Sequence, residues 1–351
     1  MDNPTIAISI LWAFIFAYAI LGSVDFGAGF WALIYDRNSG DTRAAQIANR
    51  YLSPSWEVTN VFLVLIAVAL VGFFPRAAFW FGTVLIVPVS LVLILLTVRS
   101  SFMVYSYSTK RYSRLLRWIS GLTGVLIPGL LLSVLPVSLG GFVEVDPGQQ
   151  PYLLFGKLLS SPTEYAHLAF GIASELFLAA LFLSDYAHEA DDISTYRVYR
   201  KSAKVLGPLT LVTAVLATYT MAPEAEWIVE GIQAHWPWFL ASIVSFGIGY
   251  SALWWPKKAG APGRPRIAIT FVIGQYFLAS IGYGMAHLPY LLYPHLTIDQ
   301  AVTNPSIFRA LLISYSLGVA VLAPGFYLFW RLFLKDKKYI GKGPDAEGSV
   351  K

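Results

Sequence analysis

Two carboxylic acids and one arginine stand in stretches of this sequence too apolar to solvate them. Asp25 occurs in LGSVDFGAGFW, Glu57 in SPSWEVTNVF and Arg99 in LLTVRSSF. An ionisable group inside a membrane span is expensive unless it is paired or wetted, so each is a functional candidate. Asn60 follows Glu57 by about one helical turn, on nearly the same face. Two acids and one base at similar depth in a low-dielectric medium form a charge-compensated cluster, able to relay protons where one carboxyl keeps its proton. Each residue also has a plainer role open to it. Asp25 can hydrogen-bond a neighbouring helix that Gly22, Gly27 and Gly29 allow to approach closely. Glu57 can be a helix-start carboxylate favoured by the macrodipole, and Arg99 a snorkelling cation or a structural counter-ion.

A second set is Glu164, His167, Glu175 and His287, with Glu175 the deepest. His188, Glu189, Asp191 and Asp192 read as a solvated loop. The sequence contains no cysteine, which excludes disulfides, thiolate metal sites, iron–sulfur clusters and cysteine nucleophiles. Haem is not expected here either. A low-spin haem takes two axial ligands, commonly His or Met, whereas His167 and His287 lie near one membrane face and His188, His235 and His295 outside the spans. Met103 and Met221 fall near span ends, where soft packing is the plainer role. Phosphate loops, dinucleotide fingerprints and nucleophile elbows are also missing, so no chemistry is completed by this chain alone.

The elements that must position these groups follow from composition. Of the 351 residues, 56% are hydrophobic and 13% charged, about half the charged fraction of a soluble domain, and the mean hydropathy is +0.61. Apolar runs repeatedly reach the ~20 residues needed to cross a bilayer. The expectation is an all-α polytopic membrane protein with about nine spans, near 6–35, 57–74, 77–105, 118–140, 164–185, 204–222, 237–255, 267–290 and 307–333. Pro88 is expected to kink the third. All but three of the 25 Lys and Arg residues (Arg76, Lys157 and Arg309) fall in alternate connections, which puts the amino terminus outside and the carboxyl terminus in the cytoplasm. Asp25, roughly 28 Å along the first helix, is then in the cytoplasmic third. The net charge of +5 reflects this topology rather than a nucleic-acid groove. The opening MDNP lacks the basic region of a signal peptide, so the first run reads as a span.

The expected layout is a four-helix bundle over 1–140, an outer loop over 141–163, a second four-helix bundle over 164–290, an outer loop over 291–306, a ninth peripheral helix over 307–333 and a polar cytoplasmic tail over 334–351. Trp236, Trp238, Trp254 and Trp255 near span ends read as interfacial anchors.

Asp25-Phe26-Gly27-Ala28-Gly29, then Pro54-Ser55-Trp56-Glu57 and Asn60-Val61-Phe62-Leu63, resemble subunit II of cytochrome bd-type quinol oxidases. Arg99 with Phe102, and GYGMAHLPYLLYP, also look like family counterparts. Glu57 stands where many relatives have Asp, and Ser23 replaces the usual Gly of the first motif. The resemblance implies a heterodimer in the bacterial plasma membrane. Its subunit I would carry two b-type haems and one d-type haem, oxidise quinol and reduce dioxygen to water with cytoplasmic protons. This chain would be the haem-free subunit, with Asp25 and Glu57 on a proton pathway and Arg99 and Asn60 as polar partners. Glu175 and His287 would be secondary candidates. Such a subunit can hold a quinone as a structural lipid, sits among membrane lipids and can be joined by a small single-helix accessory subunit. A proton-coupled secondary transporter and a purely structural membrane scaffold are the alternatives.

Overall fold

Proline marks where many helices begin in the computed structural model, which describes residues 3–39, 43–108, 113–147, 150–256 and 262–329. The chain forms α1 (Asn3–Ser39), α2 (Arg43–Phe73), α3 (Pro75–Val84), α4 (Ile86–Ser108), α5 (Ser113–Leu132), α6 (Val134–Ser138), β1 (Val143–Glu144) and β2 (Tyr152–Leu153). It continues through α7 (Phe155–Ser160), α8 (Pro162–Glu189), α9 (Ile193–Glu224), α10 (Glu226–Ala234), α11 (Trp236–Ser251) and α12 (Pro265–His287). The last elements are β3 (Tyr290–Leu292), β4 (Leu296–Thr297), α13 (Ile298–Ala301) and α14 (Pro305–Phe329). Proline opens α3, α8, α12 and α14, where its missing N–H would have no intrahelical acceptor anyway. The Ser161 hydroxyl caps α8 by accepting from the amides of Thr163 at 3.1 Å and Glu164 at 3.4 Å. Asp192 caps α9 through the amide of Thr195 at 3.1 Å.

Six helices among the described residues are long and apolar enough to cross a membrane, or seven if a bent pair counts as one span. That pair corrects the third predicted run. Instead of one helix over 77–105 kinked at Pro88, α3 turns by 119° from Val58–Phe73 of α2, and the chain breaks again at Leu85 before α4. A proline ring clashes with the carbonyl four residues earlier. For Pro88 that residue is Val84, the last of α3; for Pro136 it is Leu132, the last of α5. The same clash therefore accounts for both interruptions. Two further runs fall short of the span test: the apolar stretch Ile86–Phe102 of α4 and the 16-residue α11.

Helices α1, α2, α4 and α5 pack so that the first meets the second and fourth, and the third meets the fourth. Helices α8, α9, α11 and α12 repeat that pairing, and α1 packs on α8 to join the two groups. The largest buried apolar cluster accordingly mixes Val24, Ala28 and Trp31 of α1 with Phe177 and Leu181 of α8, Tyr199 of α9 and Val272 of α12. Helix α14 touches α2 and α1 but is mostly exposed.

One end of the molecule gathers the charged turns, where Arg43 at the start of α2 pairs with Asp192 at 3.3 Å. Helix α8 extends through His188 and Glu189, so the connection to α9 is shorter than the loop read from the sequence. The opposite end carries two small antiparallel hairpins, β1–β2 and β3–β4, the second with an irregular register. They are tied to the helices by Tyr293 N–H to Ser138 O at 3.1 Å and Thr303 N–H to Phe73 O at 2.8 Å. Gly140 has φ +91° in this cap, and a Cβ there would stand 2.6 Å from the Tyr293 carbonyl oxygen; glycine is required on both counts. The polar tail 334–351 and the end of the ninth run lie outside the described residues.

Candidate functional site

Four helices meet around one guanidinium. Arg99 of α4 is 3% exposed and Asp25 of α1 equally so. Arg99 Nη2 lies 3.6 Å from Asp25 Oδ2 and donates to the Asp25 backbone carbonyl at 3.1 Å. Its Nη1 donates to the Ser120 carbonyl of α5 at 2.6 Å and approaches the Ser120 hydroxyl at 3.3 Å. The Phe26 ring covers the other side, with its centroid 5.0 Å from Cζ. An arginine this deep stays charged, so it needs the carboxylate and the carbonyl dipoles together. Small residues make the approach feasible. A Cβ on Gly124 of α5 would stand 2.6 Å from the Phe26 carbonyl oxygen, and one on Gly29 would stand 2.8 Å from Ser120 Oγ.

On the α8 side, Gly27 allows an equally close contact: an added Cβ would meet Ala179 Cβ at 2.5 Å and the Glu175 carbonyl oxygen at 3.2 Å. The Glu175 side chain is 1% exposed, and neither carboxyl oxygen has a hydrogen-bond partner among the described residues. Arg99 and Asp25 both act on it electrostatically, and Tyr18, one heptad before Asp25 on α1, is under the same two charges. The site is thus one cation, two carboxyls and a phenol, enclosed by α1, α4, α5 and α8. Such a set can hold and pass a proton with little change in total charge.

The structure brings Asp25 and Arg99 together as the sequence suggested and adds Glu175, which the sequence reading kept apart in its second set. Glu57 lies on α2, but its side chain falls outside the described residues. Asn60 is half-buried on the same helix, with no hydrogen bond to Asp25 or Arg99 among the described residues. Ser120 and Gly124 were missed. Their Ser-xxx-Gly spacing is a small-residue contact pattern that could have pointed to them.

The other members of the second set lie in the hairpin-bearing cap. Glu164, 4% exposed, accepts a short hydrogen bond from the Ser133 hydroxyl at the α5–α6 break. His167 Nδ1 lies 2.8 Å from the Thr163 carbonyl. Both ring nitrogens of His287 are engaged, Nδ1 with the Tyr290 carbonyl at 2.8 Å and Nε2 with the Ser138 hydroxyl at 3.1 Å. Trp227 packs edge-on to His287 and stacks on Tyr293 at 4.5 Å. No group of three His, Cys, Asp or Glu side chains suited to a metal ion occurs among the described residues. A cavity of about 510 Å³ opens between the α3–α4 break and the β1–β2 hairpin, lined by Thr83, Val87, Gln150, Tyr152 and Phe155 among others.

Comparison with known proteins agrees with this architecture. The family model described as cytochrome bd terminal oxidase subunit II matches residues 3–333. The curated "Putative cytochrome bd menaquinol oxidase subunit II" of Bacillus subtilis (strain 168) is 47% identical over 340 residues, covering 96% of this chain and 97% of the relative. A chain in the structure of bd oxidase from Geobacillus thermodenitrificans is 33% identical, with a TM-score of 0.79 over 96% of this chain and 100% of that one.

Proposed function

Because the chain belongs to the cytochrome bd terminal oxidase subunit II family, we propose that it works as the haem-free partner of a haem-bearing subunit I in a bacterial plasma membrane. The complex would oxidise quinol and reduce dioxygen to water. The relative from Bacillus subtilis is named for menaquinol, and menaquinol is the quinol proposed here. The haem-free reading is supported at His287, whose two ring nitrogens are both engaged. Nine crossings, with the charged turns in the cytoplasm and the hairpin cap outside, belong to the same reading. So do two four-helix groups divided near 141–163. The repeated helix pairing supports the division, and the meeting of Arg43 with Asp192 puts two of the turns read as cytoplasmic at one end. If this chain carries a structural quinone or lipid tail, the cavity beside Val87 and Phe155 is the place proposed for it.

Within that complex the chain's own contribution is proton uptake from the cytoplasm by way of Asp25, with Glu57 towards the surface and Glu175 as the inner acceptor. The observation that carries this reading is the buried Asp25–Arg99 pair beside a carboxyl with two unsatisfied oxygens. Asp25→Asn keeps the shape and removes the exchangeable proton. It is expected to lower oxygen consumption per haem about a hundredfold, the lower end of the usual acid–base contribution, while assembled haem content stays near wild type. Equal losses of activity and of spectrally intact haem would leave only a structural role for Asp25.

A structural reading of Arg99 has its own support. Two of its contacts go to the backbone carbonyls of Ser120 and Asp25, so it clamps α5 to α1 whatever passes along the carboxyls. Membership of the oxidase family displaces the transporter alternative.

A further inference from the structure

At the charged end of the molecule, three cations converge on a single turn and form no ion pair among the described residues. Arg200 and Lys204 stand one helical turn apart on α9, and their like charges act on each other. Such a pair disfavours a helix unless an anion bridges it. Neither side chain is free to swing away. Arg200 Nε donates to the Leu253 carbonyl at 2.7 Å, and Lys204 Nζ lies 4.5 Å from the ring centroid of Trp254. Arg264, just before α12, has its guanidinium 6.0 Å from the ring centroid of Trp255. Leu253, Trp254 and Trp255 are consecutive, so the turn after α11 holds all three cations in one corner.

None of the ion pairs among the described residues uses Arg200, Lys204 or Arg264. The contrast with nearby Arg266 is direct, because that residue pairs with both Asp185 and Glu189. The surface adjoining the corner is apolar and open. Val205 and Leu209 of α9 are 64% and 47% exposed, Val244 and Ile248 of α11 are outward-facing as well, and Trp254 is half exposed at the level where indoles mark a membrane interface. A free anion would use the cations and ignore that apolar strip; an anionic lipid uses both.

We propose that Arg200, Lys204 and Arg264, framed by Trp254 and Trp255, bind the phosphate of an anionic phospholipid whose acyl chains run along α9 and α11. The test is native mass spectrometry of the detergent-purified complex, delipidated and titrated with phosphatidylglycerol or with phosphatidylcholine of the same chains. Lys204→Gln combined with Arg264→Gln removes two charges that make no side-chain hydrogen bond among the described residues. It should weaken phosphatidylglycerol binding about thirtyfold, from the usual contribution of each basic residue near an anionic surface, and leave phosphatidylcholine binding unchanged. Lys204→Arg with Arg264→Lys should restore the preference, and an unchanged haem spectrum in both variants shows that the complex still assembles. Equal binding of the two lipids by the wild type, or a preference unaltered in the double Gln variant, would overturn the proposal. Displacement of the lipid by equimolar inorganic phosphate would overturn the lipid assignment in favour of a free-anion site.

Discussion

Replacing Gly124 by alanine tests the geometry on which the buried arginine depends. The new Cβ would stand 2.6 Å from the Phe26 carbonyl oxygen, a backbone atom that cannot rotate out of the way, and 3.5 Å from Arg99 Nη1. Restoring an ordinary carbon–oxygen contact near 3.4 Å requires α5 to withdraw from α1 by about 0.8 Å. Arg99 bonds to Ser120 O of α5 at 2.6 Å and to Asp25 O of α1 at 3.1 Å, so drawing those two helices apart would lengthen one of the two bonds. Overpacking of this kind costs about 1–3 kcal/mol, equivalent to a fall of roughly 1–4 °C in the unfolding midpoint of a chain this size. Thermal melts of the purified complex followed by circular dichroism measure it. Gly247→Ala in α11 is the control, because nothing lies within 4 Å of its added Cβ and alanine favours a helix over glycine; its midpoint should stay level or rise. If the Gly124 variant melts with the wild type, the close α1–α5 contact is refuted. If both variants fall together, the effect has nothing to do with the Arg99 socket.

Glu175→Leu removes a buried carboxyl whose oxygens have no partners among the described residues, so the complex should assemble and melt at least as well as wild type. Oxygen consumption per haem should nonetheless fall, and unchanged turnover would remove Glu175 from the proton path. Asp192→Ala deletes the cap of α9 and should cost about 1 kcal/mol, read from the same melts. Partial burial alone would raise the Asp192 carboxyl, but hydrogen bonds from Ser194 and Thr195 and the charge of Arg43 outweigh it and hold the group below the usual carboxylate range. A depressed folded value means that this stability is fully present above the ordinary Asp value and disappears as pH falls through the folded one. The wild-type advantage over Asp192→Ala should therefore shrink only under acid conditions, and an advantage that shrinks between pH 6 and pH 8 (about two units above the ordinary Asp range) would contradict this.

Asp25 and Arg99 were legible as partners because each is a charge stranded in an apolar run, and the alternation of basic connections put them at similar depth. Glu175 was legible as deep but not as a neighbour. Which face of α8 meets α1 depends on Gly27 and Ala179, and the packing of two small residues leaves no periodic signature in either helix. The interruptions at Leu85 and Ser133 lay within reach, since Pro88 and Pro136 each act four residues upstream. The 119° turn at Phe74 did not, because a proline at the start of a helix is equally compatible with a straight continuation of the chain and with a corner. Helix α10 and the hairpins were hidden for a different reason. Segments this short take their shape from the aromatic cap around Trp227, a contact set drawn from several parts of the chain.

The order in which the charged groups reach the membrane follows from their places along the chain. Asp25 arrives with the first helix, and its counter-ion comes 74 residues later. At ordinary rates of synthesis that is a delay of roughly 4–15 s, during which a lone carboxylate in lipid carries a penalty on the order of 3 kcal/mol. Helix α1 is the most apolar of the candidate spans and enters the membrane despite that penalty, which is relieved only once α4 and α5 close around it. Arg99 thus removes a charge that α1 has carried alone, and Glu175 enters last, against a pair that has already neutralised itself.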